Sequence, residues 1–234
     1  MIKGIIFDMD GLMFDTEKLS KTIWKNLGKE KGYNFGEDLF DQLIGTDINT
    51  TKKIFKDKFG SDFSYDKMRK RKGKIMVKKI EKNGVPIKKG LNETIKYLKE
   101  NDYRIAVASS SSKETIEFYL RSVNLNGKID FIIGGDEVKE SKPNPEIFNK
   151  CCEKMNINKR GILILEDSIN GILAADKANM NVVLIEDIVS VPNKVKELTY
   201  KELNHLAELP KLLEEINSQL NLKLESNQMN SWGY

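Results

Sequence analysis

Short apolar runs alternating with helical repeats dominate this chain. Residues 2–7, 104–108, 161–165 and 181–185 are rich in β-branched side chains, and 130–133 forms a weaker fifth run. Each is bounded by polar residues or glycine. Apolar positions recurring at helical spacing fill 91–100, 113–123, 145–155 and 169–178. Strand and helix therefore alternate from about position 90 onward. Strands apolar on both faces predict a parallel sheet flanked by helices, an α/β fold of Rossmann-like type.

The stretch 16–85 breaks this rhythm, because it follows the first strand yet holds only helical periodicity, at 19–31, 35–43, 50–59 and 65–82. It predicts an all-helical cap inserted into a core made of 1–15 and 86–220. The connections 13–17 and 83–90 serve as hinges, the second punctuated by Gly84, Pro86 and Gly90. A hinged lid excludes water from a reaction beneath it. Trp24 and Phe40 read as core residues of the cap. Residues 221–234, polar and rich in Asn and Ser, are expected to form a disordered tail.

Hydrophobic residues make up 39% of the chain and charged residues 32%, a soluble globular balance. The 39 basic and 35 acidic residues leave a formal charge of only +4, which argues against a nucleic-acid partner. The most basic stretch, 67–82, carries Ile75, Val77 and Ile80 among its lysines and reads as a helix with one apolar stripe and one solvated face. The two cysteines, Cys151 and Cys152, are adjacent inside a helical pattern and cannot form an ordinary disulfide with each other. No run reaches the ~18 apolar residues of a membrane span, and the N-terminus meets acid before it could form a signal segment. A cytoplasmic monomer with no membrane partner is the expectation. The lone His205, far from the motifs below, reads as a surface or loosely packed residue.

In open parallel sheets ligands bind beyond the carboxyl ends of the strands, so the residues that end each strand are the ones to inspect. The first strand ends in Phe7-Asp8-Met9-Asp10-Gly11, the second in Ser109, and the fourth in Glu166-Asp167; Lys142 lies in the loop after the weak strand. A carboxylate such as Asp8 can attack phosphorus and split a hydrolysis into two easier steps. Asp10, two residues on, is placed to protonate the leaving oxygen and then to deprotonate water. Two carboxylates so close repel each other, and a bound Mg²⁺ relieves the repulsion, with Asp8, the Asp10 carbonyl and Asp167 as protein ligands. Lys142 and Ser109, with the amides that follow it, supply charge and hydrogen bonds to phosphoryl oxygens. Each residue also has a structural reading: a serine cap for the helix near Lys113, a surface lysine before Pro143, a cap at Asp167-Ser168. Independent caps, however, need not assemble a nucleophile, a cation and a metal ligand in one layer.

These motifs make the chain resemble the haloacid dehalogenase superfamily, in its phosphatase and β-phosphoglucomutase-like branch with a helical cap. The resemblance spans 2–188 and rests on Asp8-Met9-Asp10-Gly11-Leu12-Met13-Phe14-Asp15-Thr16, Val107-Ala108-Ser109, Ser141-Lys142-Pro143-Asn144-Pro145 and Leu165-Glu166-Asp167-Ser168-Ile169-Asn170-Gly171. It implies Asp8 as nucleophile, Asp10 as acid/base, Ser109 and Lys142 as phosphate contacts, and Glu166 and Asp167 around the magnesium. Phosphate esters are then the implied substrates, rather than phosphonates or ATP-driven transport.

Similar mutases use a cap histidine and a cap-loop arginine. The positions that align here are Ser20 and Ile48, neither of which carries positive charge, while Lys72 keeps a cap lysine. Ser20, Thr46, Lys72 and Ser110 are the substrate-facing candidates. The expectation is a phosphatase of a small phosphorylated metabolite, a sugar phosphate or nucleoside monophosphate. A β-phosphoglucomutase-type enzyme is one alternative, and a non-catalytic protein binding a phosphorylated ligand is another.

Overall fold

The computed structural model describes residues 1–43 and 48–231 of the chain. Strands β1 (Gly4–Phe7), β2 (Arg104–Ala108), β3 (Phe131–Ile133), β4 (Ile162–Glu166), β5 (Asn181–Leu184) and β6 (Lys201–Glu202) form one sheet in the order β3-β2-β1-β4-β5-β6. Every neighbouring pair is parallel. The order reverses at β1, so the crevice between the ends of β1 and β4 is the topological switch point, where ligands bind in doubly wound sheets.

Register sets what meets there. Phe7 lies level with Val107 on one side and Leu165 on the other, so Asp8 emerges beside Ala108 and Glu166. The central strands are buried along their length, which is why they read as continuous apolar runs. The edge strand β6 is two exposed charged residues, Lys201 and Glu202, and its composition gave no strand signal. Short charged edges protect a sheet from pairing with other chains.

The chain divides into two compact units, one of Met1–Phe14 together with the chain from Ile87 onward, the other Asp15–Pro86. The second unit holds α1 (Thr16–Glu30), α2 (Glu37–Leu43), α3 (Ile48–Phe59) and α4 (Tyr65–Asn83). Its interior is aromatic. Phe55 stacks on Phe63 at 5.2 Å and meets Phe35 edge-on at 5.3 Å, and Trp24 stacks on Tyr65 at 5.8 Å. Trp24 belongs to this interior, whereas Phe40 is only half-buried and lies under the Lys21 and Lys25 ammoniums. An aromatic face attracts cations and so is at home at a charged rim. In α4 the buried row is Met68, Met76 and Ile80, spaced at multiples of four on one face; Val77, expected inside, is 43% exposed.

The first unit completes its layers with α5 (Leu91–Glu100), α6 (Lys113–Ser122), α7 (Glu146–Met155), α8 (Ile169–Lys177), the short α9 (Asn193–Lys196) and α10 (Leu209–Ser231). One face of the sheet packs Ile6, Ala106, Ile164 and Val182 against Phe148 and Cys151 of α7 and Ile172 and Ala175 of α8. On the other, α5 packs against β2 and carries α10. Both cysteines are free and buried. The tail expected to be disordered from 221 continues α10 as far as Ser231, and 232–234 lie outside the described residues. The segment 218–226 contains good helix formers and neither Gly nor Pro, so nothing in it stops the helix. Among the described residues, no helix is long and apolar enough to cross a membrane.

Phe55 is fully buried at the centre of the aromatic group. Phe55→Ala should therefore cost about 3–5 kcal/mol in urea unfolding; a loss below about 1 kcal/mol would show that the cluster collapses around the cavity.

Candidate active site

Lys142, from the loop between β3 and α7, places its ammonium between two carboxylates at the switch point. Nζ lies 2.6 Å from Asp8 Oδ1 and 2.6 Å from Glu166 Oε1, and it donates to the Ala108 carbonyl at 3.1 Å. All three side chains are buried, with Glu166 at 0% exposure. The ammonium also stands 5.0 Å from the centre of the Phe148 ring. Burial works against the Lys142 charge, but Asp8 and Glu166 outweigh it and hold its pKa above the usual lysine value. The cation is permanent across the physiological range.

Glu166 is satisfied on every side. Oε1 takes Lys142, and Oε2 accepts from the Asp167 amide at 3.1 Å, the Ser168 amide at 3.1 Å and the Ser168 hydroxyl at 2.9 Å. Three donors converge on Oε2, while Oε1 accepts from Lys142. Ser168 also caps α8 by accepting from the Gly171 amide at 3.0 Å. Gly171 has no alternative, because a Cβ there would stand 1.8 Å from the Glu166 carboxylate carbon. The turn after β4 is thus built around this one buried acid.

Asp167 faces the other way, toward the turn after β1. Gly11 adopts a φ of +89°, and a Cβ on it would meet Asp167 Oδ2 at 2.1 Å. Asp8, Glu166 and Asp167 each bring an oxygen within 4.8 Å of the others, an all-oxygen set of the kind hard divalent cations take. Burial, only partly offset by Lys142, pushes the Asp8 pKa up to about 7. Burial and the neighbouring Asp8, Glu166 and Asp187 carboxylates push Asp167 up to about 9. A bound cation stabilises both ionised forms.

Asp10 accepts a hydrogen bond from Ser111 Oγ at 2.9 Å. Burial and the nearby Asp10 charge raise the Tyr119 phenol to about 12, and the Tyr119 ring meets Phe14 edge-on at 5.9 Å. Ser109 is buried at 1% exposure, and its Oγ accepts from the Ser111 amide at 3.0 Å, which shapes the turn after β2. Ser112 is the residue that caps α6, by accepting from the Thr115 amide. The serine run therefore divides its work, with the turn at Ser109, the carboxylate partner at Ser111 and the cap at Ser112.

Asp8, Asp10, Ser109, Lys142, Glu166 and Asp167 all lie at the carboxyl edge of the sheet, with Ser110 exposed in the loop after β2. Ser20 lies in α1, and Lys72 in α4 shares the i, i+4 row of Met68, Met76 and Ile80. Thr46 falls outside the described residues. Two site residues escaped the sequence reading. Ser111 was hidden in a run with an obvious capping role. Asp187 lies just beyond β5, and inspecting the end of that fifth strand as the others were inspected would have found it.

The family model described as haloacid dehalogenase-like hydrolase matches residues 5–185. A protein named phosphorylated carbohydrates phosphatase, from Thermotoga maritima, is 27% identical over 183 residues, covering 76% of this chain and 82% of its own. One named phosphoglycolate phosphatase, from Aquifex aeolicus, is 29% identical over 218 residues, covering 89% of this chain and 96% of its own. The crystal structure of β-phosphoglucomutase from Clostridium difficile shares the fold, with a TM-score of 0.70 at 24% identity over 94% of this chain and 99% of that one.

Two outcomes follow from the packing and charge of the site. Gly171→Ala should cost about 1–3 kcal/mol by overpacking against Glu166, whereas Gly73→Ala in α4, with open space around it, should stabilise by up to about 1 kcal/mol; urea unfolding compares them, and equal effects would contradict the Glu166 contact. The raised pKa values of Asp8 and Asp167 mean that the folded state binds more protons than the unfolded one. Their stabilising contribution is complete below the ordinary carboxylate pKa and is lost as pH rises through about 7 and about 9. Metal-free protein should melt at progressively lower temperature across that window, and Asp167→Asn should flatten the decline in calorimetry with chelator present. An unchanged slope would contradict the assignment.

Proposed function

The chain belongs to the haloacid dehalogenase-like hydrolase family, and we propose that it is a Mg²⁺-dependent phosphatase acting on a small phosphorylated metabolite, a sugar phosphate or nucleoside monophosphate. The observation that carries this reading is Lys142 buried between Asp8 and Glu166 at the switch point, beside Asp10.

Asp8 is the nucleophile. Its carboxylate oxygen forms a bond to phosphorus as the bond from phosphorus to the substrate oxygen breaks, and Asp10 gives that oxygen a proton. Asp10, now ionised, takes a proton from water. The water oxygen bonds to phosphorus, the bond to Asp8 breaks, and inorganic phosphate leaves with Asp8 regenerated. Ser111 holds the Asp10 carboxyl for both transfers. Lys142 fixes the Asp8 carboxylate and offers positive charge to the phosphoryl oxygens, and the amides after Ser109 donate to the same group. Asp8 and Asp167, with the Asp10 carbonyl, would hold the cation, which when bound neutralises charge on the nucleophile and the phosphoryl group. Glu166 braces Lys142 and the Asp167 turn through its four hydrogen bonds, and its carboxylate stands with Asp8 and Asp167 in the acidic group that would surround the cation.

Hydrolysis, not transfer to a sugar hydroxyl, is favoured by Ser20 and Ile48, which leave the aligned mutase positions without positive charge. The Thermotoga maritima relative, named for phosphorylated carbohydrates, supports a sugar phosphate as substrate. The mutase reading draws on Lys72 alone.

With p-nitrophenyl phosphate and Mg²⁺, Asp8→Asn should lower kcat by about 10⁴-fold or more; a variant that retains full activity removes Asp8 as nucleophile. Phosphate detection across a panel of phosphorylated metabolites identifies the substrate. Conversion of β-glucose 1-phosphate to glucose 6-phosphate with little free phosphate would establish the mutase instead, and no turnover of any ester would favour a binding protein.

A further inference from the structure

We propose that Asp187 belongs to the cation site as a positioning residue, its Oδ2 accepting a hydrogen bond from water on the divalent ion. This rests on the reading of Asp8 and Asp167 as the ion's ligands.

Asp187 follows β5 at the same carboxyl edge of the sheet, one strand beyond the switch point. Its side chain is only 7% exposed. Oδ1 is paired with the Lys88 ammonium, but Oδ2 is buried and meets no hydrogen-bond donor among the described residues. A buried carboxylate oxygen left without a donor is costly, and native structures rarely leave one. Its direction identifies what completes it. Asp187 Oδ2 lies 3.3 Å from the point where a Cβ on Gly11 would stand, the same notch that Asp167 Oδ2 approaches to 2.1 Å. Two acidic oxygens thus converge on one small space beside the nucleophile's turn. Lys88 does not relieve their repulsion from within that notch, because its ammonium sits on Oδ1, the other oxygen of Asp187.

Carboxylates around a metal that do not ligate it commonly hold the waters that complete its shell, which suits Mg²⁺ with its reluctance to shed water. Lys88 then neutralises Asp187 from the side away from the ion and fixes the rotation of the carboxylate. The Lys88 amide also donates to the Met13 carbonyl at 2.9 Å, so the backbone that carries this lysine is tied to the Asp8–Phe14 turn.

The test is Mg²⁺ titration by calorimetry, with thermal melting in chelator and in Mg²⁺, for wild type, Asp187→Asn, Lys88→Met and Asp167→Asn. Outer residues of metal sites typically contribute about 10–100-fold in affinity. Asp187→Asn should weaken Mg²⁺ binding by about 10-fold or more and shrink the Mg²⁺-induced rise in Tm. A purely structural Asp187–Lys88 pair would instead lower the Tm in chelator and leave Mg²⁺ affinity intact; that result overturns the proposal. Lys88→Met, which keeps both acids, should lower the Tm in chelator and retain Mg²⁺ binding; loss of binding in this variant while Asp187→Asn binds normally also overturns it. If wild type and Asp167→Asn bind Mg²⁺ equally weakly, the reading of Asp8 and Asp167 as ligands fails, separately from the role of Asp187.

Discussion

The burial of one ammonium between two carboxylates organises this protein. Lys142, Asp8 and Glu166 come from three separate segments, and the one buried ammonium pairs with both carboxylates. Removing one member of a buried ion pair leaves an uncompensated charge and typically costs about 3–5 kcal/mol. The sheet order, the register that sets Asp8 beside Glu166, and the Gly171 turn that clears space for the acid all serve this contact. Phosphoryl transfer is reached through it, because the same ammonium that satisfies Glu166 fixes the orientation of Asp8.

The charge balance around that contact leans to the acidic side. Asp8, Glu166, Asp167 and Asp187 approach one another, with the ammonium of Lys142 on the first two and that of Lys88 on the last. The raised pKa values of Asp8 and Asp167 express this surplus. A divalent cation bound there, as proposed, would return both to the ionised state that nucleophilic attack and metal ligation need. Burial, often a liability for charged groups, here strengthens every electrostatic contact with a phosphoryl group.

Much of this was legible in the chain, for a physical reason. Strands buried on both faces must be written as apolar runs, so β1, β2, β4 and β5 stood out, and the rule that ligands gather at strand ends led directly to Asp8, Ser109 and Glu166. β6 was not legible because Lys201-Glu202 owes its place to pairing with β5, not to any burial of its own side chains. The row buried along α4 was misread, since lysines interrupt every possible stripe and only packing selects Met68, Met76 and Ile80 over Val77. The role of Ser111 is a relation between segments distant in sequence that no local pattern marks, whereas Asp187 follows the fifth strand and lay within reach of the strand-end rule. Glu166 takes four hydrogen bonds and also brings an oxygen within 4.8 Å of those of Asp8 and Asp167, so bracing the turn after β4 is compatible with the place near a cation that its motif suggested.

The central claim is that phosphorus passes through a covalent bond to Asp8. The most direct measurement is acid-quenched incubation of the Asp10→Asn variant with excess acetyl phosphate and Mg²⁺, followed by peptide mass mapping. Without its base the second step slows, so one phosphoryl group should accumulate on Asp8. Turnover by the wild-type protein with no adduct on the Asp8 peptide, or an adduct on a different residue, would contradict the account.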